Sequence, residues 1–221
     1  FSSDGSVLTA EEAKAAGKPV VWIQAQIHGN ENSATEGALE LIRRLAAGEF
    51  AEELNKVTVV VLPRWNLDGG RRYMRGTNIL ANRNIGLAGM DQNRDHMVLQ
   101  SYFTKLIHKL VLGYDPGAVL DMHEMVYNNS AGRMKLDGID TVYAEYQLHD
   151  IATLPGMNPN IPESVRNLAY NTFQKRIQDT LEGQGFYWHF YYESIATTST
   201  PLPMVLSTDL RTWVPGNFSA S

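Results

Sequence analysis

The sequence predicts one α/β domain with a doubly wound, mainly parallel or mixed sheet flanked by helices. Three apolar runs support this prediction: residues 19–27, 56–63 and 117–123. The first two are nearly continuous in apolar, β-branched side chains, as in strands that are buried on both faces. Helical patterns separate the runs, and alternation of strands with helices favours parallel pairing. We therefore treat residues 1–221 as a single domain.

The remaining segments are assigned from their periodicity. Three stretches are predicted to be helical: 34–47, 97–112 and 161–185. The first repeats apolar side chains at helical spacing, and the last has a proline in its first turn. Residues 65–95 and 128–160 are rich in Asn and Gly, which indicates long loops. Residues 186–194 are aromatic and predict a strand.

Composition limits the classes of function. Of 221 residues, 43% are apolar and 19% are charged, which is typical of a globular protein. The net charge of -5 does not indicate a basic face that would bind nucleic acid. The sequence contains no apolar run long enough to predict a membrane span. Cysteine is absent, so any metal site must use His, Asp and Glu.

The residues at both termini indicate that the sequence is a fragment of a longer chain. The sequence starts at Phe1 without a methionine and stops at "GNFSAS" without a closing element. We expect a periplasmic or secreted bacterial protein after signal removal, with a cytoplasmic location as the alternative. Composition assigns no oligomeric state.

Polar side chains follow the predicted strands where each strand ends. His28 and Glu31 come directly after the first run, and His123 closes the third. Ligands of doubly wound sheets bind outside the carboxyl ends of the strands. Two histidines and a glutamate are a common ligand set of catalytic zinc. The alternative is that His28 and Glu31 are ordinary polar residues of a turn.

The segment "MDQNRDH" (90–96) offers partners for such a site. Asp91 could accept a hydrogen bond from the second nitrogen of a ligand imidazole. Asn93 and Arg94 together could clamp a carboxylate. The alternative is a charged loop with local ion pairs.

Four further histidines are poorer ligand candidates. They are His96, His108, His149 and His189. His108 lies within a predicted helix, whereas His96 directly follows "NRD" and could face the cleft.

Four short motifs occur in one order across residues 28–123: "HGNE", "NLDG", "DQNR" and "DMH". In this order they resemble the M14 family of zinc carboxypeptidases, whose pattern is H-x-x-E, N-P-D-G, D-x-N-R and a histidine on a strand. Leu67 stands where the family usually has proline. The "DMHE" sequence is similar to the bacterial branch.

The resemblance implies a metallocarboxypeptidase that hydrolyses the C-terminal peptide bond of a peptide through a metal-activated water. One zinc ion per chain would be bound by His28, Glu31 and His123. Asn93 and Arg94 would hold the terminal carboxylate of the substrate. Asp91 would support the first zinc histidine. An arginine would polarise the scissile carbonyl: Arg75, or one of the rivals Arg71, Arg72 and Arg83.

The general base departs from the family's pattern. The family places a glutamate on a late strand, shortly followed by an arginine. Here Glu193 is the late glutamate, and no arginine follows it closely. We therefore expect the base to lie beyond residue 221, with Glu193 as the second choice. Glu124, next to His123, is expected to point to the other side of its strand and to be structural.

Two other functions fit the same residues. One is a desuccinylase-type deacylase of N-acyl amino acids, which would also bind a substrate with a free carboxylate. The other is a zinc-binding or peptide-binding domain without hydrolysis.

Overall fold

The computed structural model describes residues 1–3, 5, 9–77, 89–124, 132–136, 139–143, 150–155 and 160–190. The chain divides into two compact units, residues 1–126 and 127–220. The assignment of residues 1–221 to one domain stays a prediction.

A three-stranded parallel sheet forms the centre of the first unit. Strand β1 (Val20–Ala25) lies between β2 (Thr58–Leu62) and β3 (Ala118–Met122). The register pairs Val20 with Thr58 and Ala25 with Met122, so β1 and β3 end level with each other. The three strand predictions and the parallel α/β class are confirmed.

Within the described part of the first unit, five α-helices accompany this sheet. They are α1 (Ala10–Ala15), α2 (Asn32–Ala46), α3 (Ala51–Leu54), α4 (Leu67–Arg72) and α5 (Tyr102–Tyr114). Helix α2 confirms the first helix prediction. Helix α5 begins later than predicted, because the Asp95 carboxylate accepts hydrogen bonds from the backbone of Gln100 and Ser101 and holds them outside the helix. Ser101 then caps α5.

Apolar side chains pack against both faces of the central strand β1. On one face Trp22, Trp65 and Ile107 of α5 share a buried cluster. On the other face Ala25 packs against Ala34 and Ala38 of α2. Because these side chains are small, α2 lies close to β1. Its first turn is therefore held near the carboxyl end of that strand.

The described residues of the second unit form two strand pairs and a helical segment. Strands β4 (Gly132–Leu136) and β5 (Ile139–Tyr143) are antiparallel, and β6 (Ile151–Thr153) pairs in parallel with β7 (Trp188–Phe190). Helices α6 (Glu163–Leu168) and α7 (Lys175–Gly183) are joined by a π-helical turn, Ala169–Gln174. No helix within the described ranges is long and apolar enough to cross a membrane.

Two loop predictions are wrong in part. Residues 65–95 include helix α4, which forms because the Asn66 side chain accepts a hydrogen bond from the Gly69 amide. Residues 128–160 include β4, β5 and β6, which are only three to five residues long and too short to show a clear apolar period. The helix predicted at 161–185 is confirmed. The strand predicted at 186–194 is confirmed for β7, and residues 191–194 lie outside the described residues.

Candidate metal centre

The carboxyl ends of β1 and β3 bring the three predicted ligands together. His28 follows β1, His123 follows β3, and Glu31 stands immediately before α2. Each offers a ligand atom, and these atoms lie within 4.8 Å of one another. Two imidazoles and a carboxylate are a donor set that suits zinc, so the group fits one such ion.

Glu31 lies between the two histidines. Its Oε1 is 2.6 Å from His28 Nδ1, and its Oε2 is 2.8 Å from His123 Nδ1. The two imidazole rings are 4.9 Å apart between centroids. Both histidines therefore turn the same nitrogen, Nδ1, toward one point at the carboxylate. This is the orientation needed for two imidazoles to share an ion with Glu31.

The electrostatics of this centre keep Glu31 ionised and His123 protonated. Burial alone would raise the pKa of Glu31, but His123 and His28 lower it to about 2. Burial alone would lower the pKa of His123, but Asp121 and Glu31 raise it to about 10. The pKa of His28 is raised in the same way, since Asp91 and Glu31 outweigh its burial. His123 must therefore lose a proton before its ring can bind a metal ion.

A second carboxylate stands behind each histidine. Asp91 Oδ1 lies 3.3 Å from His28 Nε2, at an ion-pair distance without the alignment of a good hydrogen bond. Asp121 Oδ2 lies 3.1 Å from His123 Nε2 and does form a hydrogen bond. Asp91 was predicted to support a ligand histidine. Asp121 was missed, although its position two residues before His123 on β3 was the available signal.

Arg75 is the predicted arginine that reaches the centre. Its Nε lies 3.0 Å from Asp91 Oδ2, and its Nη1 lies 3.6 Å from Glu31 Oε1. The side chain is 49% exposed, so part of the guanidinium faces solvent beside the site. The rivals Arg71 and Arg72 lie exposed on α4. Arg83 lies outside the described residues.

The loop after β2 positions the loop that carries His28. Asn66 Nδ2 donates to the carbonyls of Ile27 and Arg75, and the Gly29 amide donates to the Arg75 carbonyl. These bonds tie the first ligand loop to the segment that carries the arginine. Leu67 occupies the first helical position of α4, where proline is favoured but not required.

Gln26 also stabilises the loop that carries His28, through buried side-chain hydrogen bonds. It is fully buried and has a φ of 58°, in the left-handed region. Its Nε2 donates to the Gly29 carbonyl and to the Asn32 side chain, and its Oε1 accepts from Thr35 and Arg64. Sequence reasoning missed this residue, since a glutamine within an apolar run carries no positional signal.

The proposed carboxylate clamp follows Asp91 in a short 3₁₀ turn, Gln92–Arg94. Asp91 Oδ1 accepts a hydrogen bond from the backbone N–H of Asn93 at 2.9 Å. Asn93 is half-buried and Arg94 is exposed. The same aspartate thus links the clamp residues to His28.

Glu124 follows β3 and contacts the first turn of α2. Its carboxylate accepts a hydrogen bond from the Ser33 amide in the first turn of α2, at 2.8 Å. Its own amide donates to Glu31 Oε2 at 3.3 Å. Glu193 lies outside the described residues, so its assignment as a base stays a prediction.

A parallel α/β sheet with two histidines and a glutamate at its carboxyl edge is an arrangement that could hold a zinc ion. A family model described as zinc carboxypeptidase, Peptidase_M14, matches residues 3–113. The chain belongs to this family. The fold implied by the resemblance agrees with that membership.

Known relatives are carboxypeptidases. "Probable carboxypeptidase 2" of Arthroderma benhamiae and "Carboxypeptidase 2" of Trichophyton rubrum are both 33% identical over 186 residues, or 82% of this chain. That match covers 32% and 31% of the two relatives, so the chain spans about a third of their length.

Two solved structures share the fold. They are metallo-carboxypeptidases from Pseudomonas aeruginosa (18% identity, TM-score 0.53) and Burkholderia cenocepacia (20% identity, TM-score 0.53). The matches cover 81% and 80% of this chain, and 41% and 42% of the two structures.

Proposed function

We propose that this chain carries the zinc site of a metallocarboxypeptidase that removes the C-terminal residue of a peptide. One observation carries the proposal: His28, Glu31 and His123 converge at the carboxyl edge of a parallel sheet with Arg75 beside them. Membership of the zinc carboxypeptidase family supports the same conclusion.

Each residue has a distinct part in this function. Zinc, when bound, supplies a Lewis acid and a water of lowered pKa. His28, Glu31 and His123 hold the ion. The exposed part of the Arg75 guanidinium would stabilise negative charge that develops on the scissile carbonyl oxygen.

The substrate must also be oriented by its free carboxylate. Asn93 and Arg94 would bind that group through an amide and a guanidinium. The proton of the attacking water needs a general base, for which Glu193 or a glutamate beyond residue 221 is proposed. We also propose a periplasmic or secreted location, and the bacterial origin stays a prediction.

The first experiment measures bound metal. Purified chain, freed of metal by a chelator and then given zinc, should hold about one zinc ion per chain by elemental analysis. His123→Ala should lose that zinc while the exposed control Glu40→Gln retains it. A folded wild-type chain that binds no zinc would refute the metal centre.

The second experiment separates the reactions open to such a site. The zinc-loaded protein is given an N-blocked dipeptide with a free carboxylate, the same dipeptide amidated at its C-terminus, and an N-succinyl amino acid. Cleavage of the first alone supports a carboxypeptidase. Cleavage of the third alone identifies a deacylase. If a chain long enough to include the general-base glutamate binds zinc but cleaves none of the three, the protein is a binding domain.

A further inference from the structure

The segment that carries the proposed carboxylate clamp is fastened to the start of helix α5. The buried Asp95 carboxylate accepts hydrogen bonds from the backbone N–H groups of Gln100 and Ser101, at 2.7 and 2.8 Å. Gln92 is fully buried, and its Nε2 donates to Ser101 Oγ at 3.4 Å. Ser101 in turn caps α5. The clamp turn Gln92–Arg94 therefore has an anchor on each side, and both anchors reach the cap of this helix.

A pair of histidines makes a further attachment along α5. His96 Nδ1 lies 2.8 Å from Nε2 of His108, so one ring donates a hydrogen bond and the other accepts it. His108 stands seven residues after Ser101, which places it about 10 Å further along the helix axis. The ring of His96 also packs edge-on against the buried Trp65, with ring centroids 5.6 Å apart. The position of His96 is thus set by a hydrogen bond and by a packing contact.

The clamp residues lie between these attachments and the metal centre. Asn93 and Arg94 directly precede Asp95, and the backbone N–H groups of both donate to Asp91. A shift of His96 away from α5 would therefore move the turn that carries the Asn93 and Arg94 side chains. Groups that are held in place before a ligand arrives bind it more tightly, because less conformational freedom is lost on binding.

We propose that His96 and His108 are positioning residues for the carboxylate clamp. Through this pair, α5 fixes where the Asn93 amide and the Arg94 guanidinium meet the terminal carboxylate of the substrate. The pair acts on the affinity for that carboxylate and not on zinc binding, since neither imidazole is one of the three proposed zinc ligands. The inference rests on the function proposed above and adds two residues to it.

The test measures the binding of carboxylates that contain no peptide bond to cleave. The zinc-loaded chain is titrated calorimetrically with the deamino analogues of phenylalanine, leucine and lysine, each as the free acid and as the neutral amide. For the acid that the wild type binds best, His108→Ala should weaken binding by about 3- to 10-fold, which corresponds to the loss of one hydrogen bond. Binding of the matching amide and the zinc content should not change. His108→Gln should recover most of the loss, because its side-chain amide offers a donor and an acceptor near the position of Nε2.

A double-mutant cycle and a matched control separate positioning from general damage to α5. Arg94→Ala removes the guanidinium and should itself weaken binding of the acid. Because the clamp is then incomplete, His108→Ala should add little in the Arg94→Ala background. The control is Val111→Ala on α5, since Val111 packs against the apolar cluster that contains Trp65 and Ile107. It should lower the free energy of unfolding and leave the affinity for the acid unchanged.

The outcomes distinguish this inference from the function on which it rests. A wild-type chain that binds no zinc, or that binds the acids no better than the amides, refutes the proposed zinc site or the proposed clamp, and this inference with it. If the wild type prefers the acid and His96→Ala and His108→Ala both keep that affinity, only the positioning role is overturned. Equal losses in His108→Ala and Val111→Ala, or additive effects of His108→Ala and Arg94→Ala, would overturn it as well, because the pair would then only stabilise α5.

Discussion

Arg75 and Asp91 form an ion pair at the edge of the metal centre, with Arg75 Nε 3.0 Å from Asp91 Oδ2. The other Asp91 oxygen lies 3.3 Å from His28 Nε2, so one carboxylate contacts both the arginine and a predicted zinc ligand. The ion pair occupies one edge of the Arg75 guanidinium, and the Arg75 side chain is 49% exposed. Arg75 can therefore be anchored by Asp91 and still present donors to a substrate.

Replacing Arg75 by alanine should reduce hydrolysis without removing zinc. We expect kcat to fall by about 10²- to 10³-fold, because a positioned donor to the developing oxyanion is lost. The three predicted ligands remain, so the zinc content should stay near that of the wild type. Steady-state kinetics and elemental analysis of the same preparation would measure both quantities.

Arg72→Ala provides the control for charge loss, since Arg72 is exposed on α4. It should leave both kcat and zinc content unchanged. If Arg75→Ala instead loses its zinc while kcat per bound zinc is unchanged, Arg75 serves only to anchor Asp91, and its catalytic role is wrong.

The sequence was sufficient to predict how the centre is assembled, because strand ends can be recognised from apolar runs. In a parallel sheet the ends of β1 and β3 must meet at one edge, and this places His28 near His123 without knowledge of any contact. The role of Asp91 could also be predicted from the sequence, because Asp91 stands beside residues with a recognisable pattern. These predictions rest on chain direction and spacing.

Residues whose roles depend on three-dimensional contacts were not predictable in this way. Gln26 acts through a left-handed backbone conformation and four side-chain bonds, none of which has a sequence period. The partnership of His96 with His108 joins two segments whose separation gives no signal. The hairpin of β4 and β5 was missed although the dipeptide Asp137–Gly138 between them is a known turn signal.

Gly29 allows two loops to approach closely, and we expect Gly29→Ala to disrupt the centre. A Cβ atom at this position would lie 2.2 Å from the Gly69 carbonyl carbon and 2.4 Å from the Met74 carbonyl oxygen. Both neighbours are backbone atoms, so the loop that carries His28 must shift. The free energy of unfolding should fall by about 1–3 kcal/mol, and zinc affinity should fall with it. Urea unfolding and chelator competition would measure these effects.

Gly37→Ala is the matched control for that substitution. Gly37 is exposed within α2, and a Cβ atom there would meet nothing within 4 Å. Alanine should therefore stabilise the chain by about 0.5–1 kcal/mol through helix propensity. If Gly29→Ala were as stable as Gly37→Ala and bound zinc normally, close approach at Gly29 would not matter.

Gln26→Ala should destabilise the first unit through lost hydrogen bonds. The substitution removes the partners of the Gly29 carbonyl and the Thr35 hydroxyl in a buried environment. Each buried polar group left unsatisfied costs about 1–3 kcal/mol. Urea unfolding of the metal-free chain would measure the loss, with exposed Gln100→Ala expected to be neutral.

A second variant isolates the backbone contribution at the same position. Glycine accepts the φ of 58° without strain, so Gln26→Gly should be less destabilised than Gln26→Ala by about 1 kcal/mol. Equal stability of the two variants would mean that the left-handed conformation carries no strain. Wild-type stability in both would show that the side-chain bonds contribute nothing.

Zinc binding should release protons and strengthen as pH rises. In the metal-free chain the pKa of His123 is raised to about 10 and that of His28 is also raised, so His123 is protonated at neutral pH. The ion must displace the proton from Nδ1 of that ring. The cost of displacement falls as pH increases toward the raised pKa values. Affinity should therefore rise by about tenfold per pH unit for each proton released.

Isothermal titration calorimetry in two buffers of different ionisation enthalpy would count the protons that zinc displaces from the two histidines. The prediction is a release of at least one proton near pH 7, because His123 is protonated before binding. Glu40→Gln should give the same count, since that carboxylate is exposed on α2 and takes no part in the centre. A zinc affinity that does not change with pH, with no proton release, would mean that the histidines are already neutral. In that case Glu31, Asp91 and Asp121 would not hold protons on the ligand imidazoles.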